Sequence, residues 1–423
     1  MFLQTIRDAW KIPDLRKRLI FTLLMLALVR LGSTLPSPFI DSRVISEYFS
    51  TNNGVFALFD AMSGGAFSSM NLFAMGITPY INASIIMSLL TIAIPRLEEL
   101  NQEGEAGRKK IDQYTRYLTV ALALIQAFGI SYSLNSAYNV MSSNVNTVWA
   151  IIVSVIIFTA GTAFVMWIGE SITAKGIGNG VSLIIMVNIL SRVPSMIRSL
   201  ANYENKWALI ILLVVFILVV AFVVLLSLGE RRIPIQYAKR MQGRKQYGGQ
   251  STHIPVRVNL VGVIPIIFAI SLLSFPQIIT GFFNSNPTGT WGTILNWLST
   301  SHWFGACLYI VLIILFTYFY ASITFNPMDI ADNLKKNGGF IPGIRPGRPT
   351  FEYIKKVSRN ITFIGAIGLA ICAAIPLILS FVFKIDNLNI GGSSMLIAVG
   401  VALETVKQIE GMMVTRHYKG FLR

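Results

Sequence analysis

Two cysteines, three histidines and only 19 acidic residues are spread over 423 positions. Cys307 and Cys372 stand far apart within apolar stretches, so a disulfide scaffold is excluded and buried free thiols are expected. His253, His302 and His417 fall in loops or the tail, and no Cys/His cluster has the spacing of a metal site. H-E-x-x-H and G-x-x-x-x-G-K-[ST] are both missing, which removes a zinc hydrolase helix and a P-loop. No enzyme, cofactor or metal is therefore expected, and energy for any work must come from outside the chain. Charged residues make up 13% of the chain, where soluble domains carry about 25%.

Long apolar runs are what the chain has instead. A bilayer span needs roughly 20 apolar residues, and that rule selects ten stretches, near 19–36, 75–95, 117–138, 147–170, 177–198, 207–229, 258–282, 305–325, 360–383 and 392–413. The expected fold class is all-α and polytopic, one integral membrane domain over 1–423. Asn205 divides it into an N-terminal half, 1–200, and a C-terminal half, 201–423, each with five spans. Inverted five-helix repeats of this kind flank a central pathway in many membrane proteins.

The net charge of +16 raises nucleic acid as an alternative, but the charge sits in short blocks between apolar stretches. Loop 230–258 carries Arg231, Arg232, Lys239, Arg240, Arg244, Lys245 and Arg257. Loop 325–359 carries Lys335, Lys336, Arg345, Arg348, Lys355, Lys356 and Arg359. Loops this basic stay on the side where the chain was made, so they are expected in the cytosol together with both termini. Residues 1–18 read as an amphipathic helix lying on the membrane surface. The basic cluster Arg16–Arg18 precedes an apolar run with Pro36-Ser37-Pro38 after it, which fits an uncleaved first span better than a signal peptide. The loop from Trp291 to Trp303 has three tryptophans and no charge, as interfacial aromatics at the outer leaflet would.

One segment is helical in pattern yet too short to cross. Val55 to Phe67 runs about a dozen residues to Gly64-Gly65 before a full-length span begins near Met75. Two readings stand: a re-entrant helix filling a pore, with non-helical backbone buried in protein, or an amphipathic helix on the outer surface. In the next span Ile77 and Ile81 lie four apart on one face, and the spacing recurs at Val181 and Ile185 after Gly176-Ile-Gly-Asn-Gly180. Such pairs suit a dewetted constriction and suit ordinary helix packing equally.

Several ordered blocks resemble the SecY family of protein-translocation channel subunits. They include Gly76-Ile-Thr-Pro-Tyr-Ile-Asn-Ala-Ser-Ile-Ile86, Gly104-Glu-Ala-Gly-Arg-Lys-Lys-Ile111, Gly176-Ile-Gly-Asn-Gly180, Gln250-Ser-Thr-His-Ile-Pro255, Ala331-Asp-Asn-Leu-Lys-Lys336 and Pro342-Gly-Ile-Arg-Pro-Gly347. The resemblance runs along essentially the whole chain. It implies a channel that passes unfolded secretory polypeptides and releases hydrophobic segments sideways into lipid. By position, it puts a pore ring at Ile77, Ile81, Val181, Ile185, Ile267 and Ile397. Val181 departs from the isoleucine often found there. The resemblance puts a plug at about 55–70, with Phe56, Phe59, Asp60, Met62, Gly64, Gly65 and Phe67. It makes Asn82, Gln126, Ser271 and Phe275 lateral-gate candidates between the second and third spans and the seventh and eighth. The loop cations Arg244, Lys245, Arg345 and Arg348 become docking candidates for the motor ATPase SecA or the ribosome with its rRNA. The small membrane subunits SecE and SecG, signal peptides, nascent chains and the lipid bilayer complete the implied partners. A bacterial plasma membrane is the implied location.

Two other functions fit the residues without that resemblance. A secondary transporter also has broken helices, but it usually carries ionisable relay residues at mid-membrane. Here Arg30, Glu404 and Lys407 are the candidates, and the last two stand three apart, where they are expected to pair. An intramembrane enzyme lacks a recognisable motif.

Overall fold

The computed structural model describes residues 2–40, 60, 63–138, 140–141, 146–201, 206–237, 240–242, 245–247, 251–283, 289–300, 302–383 and 388–417. Helix α1 (Phe2–Lys11) leads into α2 (Pro13–Gly32), whose first position is a proline, where the missing amide would have had no intrahelical partner. Helix α3 (Thr78–Ala93) ends because Pro95 pushes Ile94 into an extended conformation, φ −109° and ψ 113°. The chain then bends by 99° into α4 (Pro95–Gln102). There follow α5 (Glu105–Tyr138), α6 (Thr147–Lys175), α7 (Gly180–Ala201) and α8 (Lys206–Leu228). Past the loop described below come α9 (Ile264–Phe283), α10 (Thr290–Leu298), α11 (Trp303–Thr324), α12 (Pro327–Lys336), α13 (Arg348–Phe383) and α14 (Leu388–His417).

Each apolar stretch of the sequence lies on a helix: α2, α3, α5, α6, α7, α8, α9, α11, α13 and α14. By length and composition, four helical stretches among the described residues are able to cross a membrane, or five if the bent pair α3–α4 counts as one span. Close backbone approach sets some of the crossings. A Cβ on Gly180 would stand 1.9 Å from the Gly169 carbonyl oxygen, so α6 and α7 meet there only because glycine is present.

The halves touch along two seams. On one, α9 packs against α3 and α5; on the other, α14 packs against α7. Around them α5 lies on α6, α11 on α9 and α13, and α14 on α8 and α13.

The basic loops are more ordered than the sequence reading allowed, and the all-α expectation gains a sheet. Strand β1 (Glu230–Tyr237) pairs antiparallel with β4 (Ser251–Arg257), placing Ile233 opposite Ile254, while β2 (Arg240–Gln242) and β3 (Lys245–Tyr247) pair with each other between them. Strand β5 (Gly339–Phe340), from the second loop, adds to the free edge of β1. Ile233, Ile235 and Val256 project from the sheet onto Leu334, Ile341, Ile354 and Ile361. The alternation E-R-R-I-P-I-Q-Y was the sequence signal. Two loops far apart in sequence thus form one cationic platform.

One further expectation is extended and two change. Helix α1 does not merely lie on a membrane surface: Ala9 and Ile12 pack with Leu15, Ile177 and Ile409, tying it to α2 and α14. Glu404 and Lys407 do not pair; the Lys407 ammonium donates to the Ser227 carbonyl at the end of α8. Cys372 is buried, but Cys307 is exposed on α11, and both thiols are free.

Candidate functional site

The six ring candidates stand on four helices. Ile77 caps the N-terminus of α3 and Ile81 follows one turn on; Val181 and Ile185 sit in the first turns of α7, Ile267 in the first turn of α9, and Ile397 in α14. All but Val181 are buried in a single apolar cluster, and Val181, partly buried, packs against it. Each half contributes two helices. The same cluster also holds Ile168, Ile172, Ile184 and Val263.

The seam of α3 and α5 with α9 has a different chemistry. Asn82 on α3, Gln126 on α5 and Ser271 on α9 are buried, and Asn82 Nδ2, Gln126 Oε1 and Ser271 Oγ have no hydrogen-bond partner. Phe275, one turn beyond Ser271, is half-buried. Buried polar atoms that find no partner among the protein's own groups cost free energy. Near one end of the seam the Tyr320 hydroxyl of α11 donates to Ser88 Oγ of α3 at 3.4 Å, and the Tyr320 ring meets Phe268 of α9 edge-on at 4.9 Å. Tyr320 is absent from the sequence-based candidates. Its only signal was the aromatic run from Phe316 to Tyr320, which also reads as a lipid-facing helix.

Of the plug candidates, Phe56, Phe59 and Met62 lie outside the described residues, and the rest are tied down more firmly than their flanking glycines suggest. Asp60 is buried; its Oδ2 stands 2.8 Å from Arg192 Nη1 of α7, and its Oδ1 accepts from the Ser68 amide at 2.7 Å. The chain reverses through Gly64 (φ 71°) and Gly65 (φ 89°), and the Gly65 amide donates to the Asp60 carbonyl. Gly64 is also a close approach: a Cβ there would fall 2.6 Å from Arg30 Nη1. Arg30 donates to Asn188 Oδ1 at 3.5 Å, which gives this cation a structural role. Phe67 packs with Met70, Ile130 and Phe158, a cluster separate from the ring.

On the platform, Arg345 is exposed at the tip of a turn whose flanking Gly343 (φ 81°) and Gly347 (φ 100°) take left-handed conformations. Thr350 Oγ1 donates to the Arg345 carbonyl at 2.8 Å and braces that turn. Arg348 pairs loosely with Glu352 at 3.4 Å. Arg244 lies outside the described residues. Lys245 lies in β3, its backbone paired with Gln242. Arg232 donates to Glu230 Oε1 at 2.8 Å, and this hydrogen bond holds the Glu230 carboxyl below its ordinary range.

Known proteins match this arrangement. The family model described as SecY covers residues 71–406. The protein translocase subunit SecY of Streptomyces coelicolor is 47% identical over 432 residues, 98% of each chain. That of Bacillus subtilis is 41% identical over 434 residues, 99% of each chain. Among solved structures, one described as a protein-conducting channel superposes with a TM-score of 0.65 at 18% identity, over 94% of this chain and 92% of that one. Sec61 in a canine ribosome-channel complex gives 0.64 at 17% identity, over 94% and 92%. At these identities the superpositions speak for the fold, while the bacterial relatives, matched almost end to end, speak for descent. The chain belongs to the SecY family.

Proposed function

We propose that this chain is the protein-conducting channel of a bacterial translocase, a multi-pass membrane protein that moves unfolded polypeptides without catalysing a reaction itself. The observation that carries this reading is that the six candidate ring side chains, from two helices of each half, all belong to or pack on one broad apolar cluster. Ten helices cross the bilayer as two pseudosymmetric sets of five, with both termini and the basic platform in the cytosol. That orientation rests on the Lys and Arg of loops 230–258 and 325–359.

The physical problem is solvent. A polar backbone cannot cross hydrocarbon with its amides and carbonyls unsatisfied, so the path must be wet when used and closed to ions when idle. Ile77, Ile81, Val181, Ile185, Ile267 and Ile397 form a thin dewetting collar that fits around a threaded chain. The segment of about 55–70 stands as a plug. Hydrophobic segments leave through the α3–α5–α9–α11 seam at Asn82, Gln126, Ser271 and Phe275, partitioning by their own transfer free energy. SecA or the ribosome docks on the platform at Arg244, Lys245, Arg345 and Arg348, and SecE and SecG are the small membrane partners.

Site-directed crosslinking tests this. With a stalled secretory chain in the assembled translocase, single cysteines replacing Ile81, Ile185, Ile267 or Ile397 crosslink to the substrate, and one replacing the exposed Leu218 of α8 does not. Substrate adducts at Leu218 with none at the four ring positions would overturn the reading.

A further inference from the structure

Helix α10 joins α9 to α11, two helices of the proposed gate. Its nine residues bury Gly292 and Leu295 and expose Trp291, Ile294 and Trp297. At 100° per residue, Trp291, Ile294 and Leu298 fall on one arc and Thr293 and Asn296 on the other, both of the latter exposed. No Asp, Glu, Lys or Arg occurs between Gly289 and Phe304. A helix that exposes Ile294 beside one tryptophan on this arc, Trp291, and a second at its edge toward Thr293, Trp297, and that carries no charge, suits the region where lipid headgroups meet acyl chains, because an indole buries an apolar body while its N–H stays near polar groups.

Two observations favour lipid over a protein partner as the occupant. First, the next helix, α11, exposes Trp303, Phe304, Val311, Leu315 and Tyr318 and is among the helical stretches long and apolar enough to cross a bilayer. Second, α10 is short and is attached to the scaffold from within: Gln277 Nε2 donates to the Leu295 carbonyl at 3.3 Å, and Trp291 Nε1 donates to Thr280 Oγ1 at 3.0 Å. Both anchoring side chains belong to α9. On the other side, the Trp297 ring lies nearly parallel to His302, the N-cap of α11, at 5.7 Å and 12°.

We propose that α10 is a membrane-surface helix lying in the outer-leaflet interface, with Trp291, Ile294 and Leu298 turned to lipid and Asn296 to water, that fastens the outer end of α9 to the bilayer. This rests on the orientation proposed above. The consequence is mechanical. A gate helix fastened at its outer end in this way resists displacement along the membrane normal.

Spin labels on single cysteines, in a chain carrying C307S and C372A and reconstituted as the full complex in phosphatidylethanolamine/phosphatidylglycerol vesicles, test the placement. A label replacing Ile294 is expected to be relaxed by oxygen and protected from an aqueous nickel complex, and one replacing Asn296 to show the reverse. Equal nickel access at both positions would place α10 in water and overturn the proposal. An impermeant maleimide added outside should block Asn296→Cys. If it reacts only from the cytosolic side while the oxygen and nickel pattern holds, the orientation fails and the interfacial placement stands. Gln277→Leu with Thr280→Val removes both hydrogen bonds to α9. Loss of the immobile component of the Ile294 label spectrum supports the attachment, and an unchanged spectrum overturns it.

Discussion

The proposed ring and the proposed seam share α3 and α9 and differ in the chemistry of what they bury there. Ile81 and Asn82 are consecutive in α3, and Ile267 and Ser271 are one turn apart in α9. The isoleucines are buried in an apolar cluster where every contact lowers the free energy of the closed state. Asn82, Gln126 and Ser271 are buried with polar atoms unpaired, where closure costs free energy. On the proposed reading, one region closes because closing is favourable and the other is held closed against a bias to open. A channel that must seal to ions yet admit hydrophobic segments sideways needs both, and the helices supply them within a turn of each other.

The largest expected effect comes from abolishing the favourable side. Replacing Ile81 and Ile185 with Ser removes two buried side chains worth about 2 kcal/mol each in transfer free energy and lets water wet the collar. Planar-bilayer recordings of the idle double variant should show an ion leak that the native channel lacks. Conductance no higher than that of the native channel would mean that the cluster is packing and not a seal.

Arg345→Glu supplies the contrast from outside the membrane. The side chain is exposed on a braced turn, so reversal disturbs little packing. Motor-driven translocation should fall sharply while membrane insertion and idle conductance stay native. Normal motor-driven export by this variant would remove Arg345 from docking.

Making the seam resemble the ring should have an intermediate effect. Asn82→Leu exchanges an orphaned amide for an apolar side chain of similar size and should stabilise closure by about 1–3 kcal/mol. Secretion of substrates with weakly hydrophobic signals should then drop by roughly tenfold or more, with strongly hydrophobic signals less affected. Unchanged signal selectivity would indicate that a water or partner satisfies Asn82 and that the seam carries no such bias.

How much of this was legible beforehand differs between the two regions. Ile77 with Ile81 and Val181 with Ile185 were visible as i, i+4 pairs, because helical spacing is local. That four helices converge is not local, and only family resemblance joined Ile267 and Ile397 to them. The orphaned atoms of the seam were invisible, since a sequence lists polar residues and not their partners. The platform sheet was written in the alternation of Ile233 and Ile235 but masked by the surrounding cations. The Asp60–Arg192 pair spans most of the N-terminal half, with nothing in the spacing to join its members.

That pair yields a smaller effect. Asp60→Asn keeps the shape, leaves Arg192 partly reaching solvent, and should loosen the plug's end by about 1–2 kcal/mol after allowance for screening. Brief openings of the idle channel should become several times more frequent, without the steady leak of the ring variant. Deleting Phe56 to Phe67 also removes this anchor, so a partial leak from the deletion alone does not separate loss of the plug from loss of the tie. Idle openings of Asp60→Asn at the native frequency would show that the tie does not hold the plug.

The smallest effect concerns the Tyr320 clasp, which opposes the bias of the orphaned atoms. At 3.4 Å the hydroxyl contact to Ser88 is long for an O–H···O bond, so it is worth no more than about 0.5–1 kcal/mol. The ring contact with Phe268 is retained in Tyr320→Phe, which therefore isolates the hydroxyl. Export of substrates with defective signals should rise by about two- to fivefold in Tyr320→Phe. Ser88→Ala should do the same, and the double variant no more than either alone, because both singles remove one interaction. Additive effects would show that each residue acts through other contacts and that the seam has no hydrogen-bonded clasp. A rise beyond about tenfold from the hydroxyl alone would exceed what so long a bond supplies. Tyr320 would then have to be read as part of the surface along which signal segments leave, a surface whose polarity the substitution had changed.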